Sequence, residues 1–114
     1  MSKMYGKVVV LKRDGQDGAS FPMHTKSITI GRMPECDIRV QLPTVSRRHC
    51  RLSVNSNQQV LLTNLSSVNP VQLNGKTIKQ EAPVYHADIV QVDDRFFRCE
   101  IEDSSYSFFL YRPL

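Results

Sequence analysis

With 114 residues, 40% hydrophobic and 23% charged, the chain is sized and composed for one globular domain with its own apolar core, which excludes a disordered, collagen-like or disulfide-dependent mini-domain. Three cysteines, Cys36, Cys50 and Cys99, are odd in number and lack CxxC spacing, so neither a disulfide framework nor a zinc knuckle is expected and a reducing intracellular compartment is. The formal charge of +4 suits an anionic partner or simple solubility, and no apolar run reaches the length of a signal-peptide core or a membrane span.

In chain order, Val8-Val9-Val10-Leu11 is a β-branched run between Gly6 and the Asp/Gly turn signals of residues 13–18, and predicts a strand followed by a loop or hairpin. Phe21-Pro22-Met23-His24 reads as a short edge strand, because Pro22 has no ladder donor. Ser27-Ile28-Thr29-Ile30 alternates polar and apolar residues and ends at Gly31-Arg32, which places the arginine at a strand end. Residues 33–37 form a loop, and Ile38-Arg39-Val40 is a short strand.

The segment Val45-Ser46-Arg47-Arg48-His49-Cys50 follows as a loop, and His49 to Val54 resumes the alternation. Asn55-Ser56-Asn57 turns the chain into Gln59-Val60-Leu61-Leu62-Thr63. Asn69-Pro70 and Asn74-Gly75 mark further turns; the second is a strong hairpin signal, since both central positions of a type I′ turn need φ > 0. Ile89-Val90-Gln91-Val92, the Asp93-Asp94 turn and Phe96 to Ile101 predict a closing pair of strands. No stretch has a helical period, and many short strands between turns predict an all-β antiparallel sandwich or barrel. Residues 1–101 form the expected domain, and the aromatic tail 102–114 reads as an extra strand or the start of a linker to a longer protein.

The polar residues of these loops are donors of the kind a phosphate rewards. A phosphorylated side chain carries about −1.5 to −2 charge and three strong acceptor oxygens. Arginine offers a planar fork, serine a rotatable hydroxyl, and tight loops contribute backbone N–H groups. Catalysis is not expected. His49 and Cys50 are neighbours in an extended segment and face apart, which is poor geometry for an activated nucleophile.

Gly31-Arg32, then Ser46-x-x-His49, then a loop through Ser67-Val68-Asn69 and a closing Asn74-Gly75, in that order, resemble the forkhead-associated (FHA) domain over residues 5–101. The resemblance implies an FHA-like sandwich of about eleven strands whose loops at one end bind phosphothreonine peptides. It implies that Arg32 faces the phosphate or the peptide backbone, that Ser46 and Arg47 hold phosphate oxygens, and that Asn69 bonds the peptide main chain. Ser67 and Val68 would line the phosphothreonine pocket, with Val68 or Val71 supplying a slot for the threonine methyl. Gly31, His49, Asn74 and Gly75 would support the loops. Neither a cofactor nor a metal is implied.

Within the family, Glu35-Cys36-Asp37-Ile38 through Gln41-Leu42-Pro43, with Asn69-Pro70, is most similar to FHA domains of proliferation-associated proteins of mitotic chromosomes. That similarity implies a nuclear location on the mitotic chromosome surface and phosphorylated nuclear, nucleolar or spindle-associated partners. Three departures from the family pattern stand out. Val68 replaces a threonine hydroxyl, Pro70 follows Asn69 and removes a backbone donor, and Ala87-Asp88 stands where Gly-Asp is usual.

Plainer readings stand beside these. Arg32 could pair with Glu35 or Asp37, Ser46 could cap a turn, and Asn74 could be a turn residue alone. Arg39, Arg47, Arg48, Arg51, Lys76 and Lys79 could form a basic face for nucleic acid or chromatin, recognised by a steep salt dependence. A sheet edge could bind a protein partner without phosphate.

Overall fold

The structure, a computed structural model, describes residues 4–102. Eleven strands occupy them: β1 (Gly6–Leu11), β2 (Asp17–Met23), β3 (Ser27–Gly31), β4 (Ile38–Arg39), β5 (Cys50–Val54), β6 (Val60–Asn64), β7 (Gln72–Leu73), β8 (Lys76–Thr77), β9 (Glu81–Val84), β10 (Ile89–Val92) and β11 (Arg95–Ile101). They form a six-stranded sheet, β2-β1-β11-β10-β7-β8, and a five-stranded sheet, β4-β3-β5-β6-β9. The all-β sandwich expected from the sequence is therefore present. The tail beyond residue 102, read above as a strand or linker, lies outside the described residues.

Alternation explains the strands that carry the core. In β5, Cys50, Leu52 and Val54 are buried while Arg51 and Ser53 are half-buried; β10 buries Val90 and Val92 in the same way. Ile30, Leu62, Val71, Val84 and Phe97 join them in one apolar cluster drawn from both sheets. Period-two burial of this kind pins register, because a one-residue slip would turn each apolar set outwards.

One pairing departs from the antiparallel expectation. β3 and β4 run parallel, with Ile30 opposite Ile38 and Gly31 opposite Arg39. Since only two residues pair, the 32–37 loop has to return the chain by just ~7 Å, so no long crossover is needed. The prolines sit where the ladder tolerates them. Pro22 lies on β2 and Pro83 on β9, each the edge strand of its sheet.

β3 and β1 both run towards the end of the sandwich where the 32–37, 40–49 and 65–71 loops meet. Asn74 and Gly75, at φ 50° and 83°, close the β7–β8 hairpin in the left-handed conformations its turn requires. This turn is tied to the start of β10: Asn74 Nδ2 donates to Asp88 Oδ1 at 3.0 Å, and Ile89 N–H donates to Asn74 Oδ1 at 2.8 Å. These two residues thus brace the end of the sandwich opposite the loop cluster.

Candidate functional site

The loop cluster is built on a close backbone approach. A Cβ placed on Gly31 would lie 2.3 Å from the Arg47 carbonyl oxygen, so only glycine lets the 40–49 loop pack flush against the end of β3. Two rungs then lock the loops together. Arg32 N–H donates to the Ser46 carbonyl at 3.0 Å, and Met33 N–H to the Arg47 carbonyl at 3.1 Å.

Arg32 follows directly, exposed at the strand end. Its Nε donates to the Val45 carbonyl at 3.0 Å, which orients the guanidinium, and its terminal N–H groups make no hydrogen bond among the described residues. Glu35 and Asp37 form no ion pair with it among the described residues; Asp37 Oδ2 instead accepts the Thr29 N–H at 2.8 Å.

Ser46 sits at the centre. Its N–H donates to His49 Nδ1 at 3.0 Å, and its hydroxyl lies 2.7 Å from the Ser66 hydroxyl. Ser66 Oγ also accepts the Asn69 N–H at 3.1 Å, while Asn69 Nδ2 donates to the Thr44 carbonyl at 2.8 Å. Asn69 is exposed and keeps its amide oxygen and second amide proton facing solvent. Arg32, Ser46 and Asn69 are therefore linked through three segments, and Arg47, Ser67 and Val68, their neighbours in the same loops, are exposed. Val71 does not belong to this surface, because it is fully buried in the core; Val68, 77% exposed, is the apolar side chain left for a methyl slot.

His49 is a supporting residue. It is fully buried, its Nε2 makes no hydrogen bond among the described residues, and burial holds its pKa below the ordinary value despite the opposing Asn69 backbone and the Asp93 charge. The neutral ring is the form needed to accept the Ser46 N–H at Nδ1. Burial also pushes the Cys50 thiol far up and the Cys99 thiol to about 12, so neither supplies a thiolate.

Asn64 acquires a role the sequence did not assign it. Asn64 Nδ2 donates to the Ser66 carbonyl at 2.8 Å and the Lys79 carbonyl at 3.2 Å. Its Oδ1 accepts the N–H groups of Ser66 and Val71. This one side chain fixes the path of the 65–71 loop and presents Ser66 to Ser46. The available signal was an asparagine closing a strand two residues before a serine, a spacing suited to side-chain-to-backbone bonding.

The FHA domain model matches residues 28–108. The chain belongs to the FHA domain family. Among curated FHA relatives, Proliferation marker protein Ki-67 of Mus musculus is 50% identical over 93 residues, covering 82% of this chain. The Homo sapiens protein of that name is 43% identical over 96 residues, covering 84% of this chain. This chain spans 3% of the length of each. The FHA fold is also shared with Mycobacterium tuberculosis EmbR in complex with a low-affinity phosphopeptide, at a TM-score of 0.73 and 20% identity over 89% of this chain and 26% of that one. Among the described residues, no group of three or more His, Cys, Asp and Glu side chains is placed to hold a metal, and no helix is long and apolar enough to cross a membrane.

Proposed function

We propose that this FHA domain is a phosphothreonine-dependent peptide-binding module, not an enzyme. The observation that carries the reading is the convergence of the Arg32 guanidinium, the Ser46–Ser66 hydroxyl pair and the Asn69 amide at one loop cluster. Arg32, Arg47 and Ser46 take phosphate oxygens. Either hydroxyl of the Ser46–Ser66 pair can donate to the other; when a phosphate oxygen takes the Ser46 proton, Ser66 donates to Ser46 Oγ while still accepting the Asn69 N–H. Asn69 bonds the peptide main chain beside the phosphothreonine, while Ser67 and Val68 flank the residue itself.

Charge-assisted bonds contribute about 1.5–3 kcal/mol each, and two or three of them, offset by ordering a flexible peptide, correspond to roughly micromolar affinity. That strength suits a contact reversed by a phosphatase.

The likeness to the Ki-67 proteins supports a finer reading, in which the partners are phosphoproteins of proliferating cells, located in the nucleus and on mitotic chromosomes. The test is calorimetric titration with phosphorylated and unphosphorylated threonine peptides drawn from an oriented library. Binding that needs the phosphate and is lost in the Arg32→Ala, Ser46→Ala double variant is the expected result; binding indifferent to either overturns the proposal. Capture from mitotic and interphase nuclear extracts, with and without phosphatase, tests the finer reading.

A further inference from the structure

We propose that Arg48 and Arg51 form a second anion site for the same bound peptide, taking a carboxylate or phosphate group that lies away from its phosphothreonine. The inference rests on the peptide-binding reading above and adds a recognition element to it. A cleft of about 180 Å³ lies beside the loop cluster, lined by Arg48 and Arg51 together with Met33, Glu35, Cys36 and Leu65. Arg47, the neighbour in sequence, does not line it. Consecutive arginines thus serve different surfaces.

Both cleft arginines are without a carboxylate partner among the described residues. Arg51 stands on the outer face of the five-stranded sheet, paired in register with Thr29 on one side and Thr63 on the other, and neither threonine can neutralise it. Asp37, close to Thr29, is committed to the Thr29 N–H. Glu35 lines the cleft, so the lining residues themselves sum to one positive charge, with the Asp37 carboxylate at its edge on the Thr29 N–H.

The cleft is also anchored and partly apolar. The Gly31 contact fixes the backbone at Arg48 Cα, and Leu65, 37% exposed, is held by its N–H to the His49 carbonyl at 2.9 Å. An apolar wall beside two guanidiniums strengthens attraction for an anion relative to open water. A peptide is favoured over nucleic acid because Phe96, the exposed aromatic among the large hydrophobic side chains, lies on the other sheet, so no stacking platform adjoins the cleft.

The experiment titrates phosphothreonine peptides that carry one added glutamate, or one added phosphoserine, at each of six positions on either side, against the wild type and the Arg48→Gln, Arg51→Gln variant. The expected result is one favoured position at which the added anion tightens binding about three- to tenfold, with the gain erased in the variant and the parent peptide bound equally by both. The glutamate and phosphoserine arms distinguish carboxylate from phosphate.

An Arg48→Glu, Arg51→Glu variant that now prefers lysine at that position shows the effect to be direct and not a loss of fold. Gains that persist in the variants, or no favoured position, overturn the second site while leaving the phosphothreonine reading intact. Failure of the parent phosphopeptide to bind overturns both. A variant that loses duplex or single-stranded DNA binding but keeps the full peptide gain assigns the cleft to nucleic acid instead.

Discussion

The Ser46 and Ser66 hydroxyls, twenty residues apart in sequence, meet at 2.7 Å and join the 40–49 and 65–71 loops. Replacing Ser66 with alanine leaves the part-buried Asn69 N–H without its acceptor and Ser46 without its partner. The expected loss is about 1–3 kcal/mol of stability and a fall of about tenfold in phosphopeptide affinity. Ser67→Ala, at an exposed position, is expected to leave stability within about 0.5 kcal/mol of wild type. Urea denaturation with calorimetric titration separates the two variants.

Val68 is the exposed apolar side chain of the 65–71 loop beside Asn69, and on the proposed reading it meets the threonine methyl. Matched phosphothreonine and phosphoserine peptides are expected to differ by about tenfold or more in affinity, the scale of one buried methyl. Val68→Ala should narrow that ratio. Equal binding of the two peptides by the wild type would refute a methyl slot.

Gly31→Ala forces a Cβ against the Arg47 carbonyl. The 40–49 loop must shift away, at a cost of about 1–3 kcal/mol, and Ser46 and Arg47, proposed to take phosphate oxygens, move with it. Both the urea midpoint and the peptide affinity should fall, whereas Gly15→Ala, where nothing lies within 4 Å of the added atom, bears on turn strain alone.

Ala87 adopts φ 72°, a left-handed conformation that strains any residue with a Cβ. The turn keeps its bonds all the same: Ala87 N–H donates to the Cys99 carbonyl at 2.7 Å, and Asp88 Oδ2 accepts the Tyr85 N–H at 2.9 Å. Ala87→Gly is expected to stabilise the fold by about 0.5–1 kcal/mol, relief of strain being partly offset by the greater freedom of glycine when unfolded. Thermal melting measures it.

His49 makes stability depend on pH in a defined direction. Its folded pKa lies below the ordinary value of 6.5, so the unfolded chain binds the proton first. The contribution of the neutral ring is fully present above pH 6.5 and is lost as pH falls through that value towards the folded pKa. Urea midpoints followed from pH 8 to pH 5 should drop, and His49→Asn should flatten the slope in that window.

The sequence carried most of the sandwich where burial imposes a period. β3, β5, β6, β10 and β11 alternate, and Asn74-Gly75 marked its hairpin. β8 has two exposed residues and no apolar face, while β9 contains Pro83, which reads as a strand breaker until its edge position is known. β2 begins at Asp17, earlier than Phe21, because small polar residues satisfy an exposed edge without patterning.

At the site, Arg32, Ser46 and Asn69 were readable from order and spacing. Ser66 was readable only as one donor among the loop residues; its bonds to Ser46 and Asn69 come from two loops meeting in space. Val71 looked like a pocket residue by proximity in sequence, but the alternation of buried Val71 and Leu73 about half-buried Gln72 turns it into the core.

The side chains of Arg32 and Asn69 are tethered to adjacent carbonyls, those of Val45 and Thr44. This shared mooring makes the loop cluster a ruler. On the proposed reading, the group for the phosphate and the group for the peptide main chain are held at one separation before any ligand arrives. A short phosphorylated side chain spans that gap; the phosphate of a phosphotyrosine, carried at the far edge of a ring, overshoots it. On the proposed reading, discrimination among phosphorylated residues is set by length, through the two tethers to Val45 and Thr44.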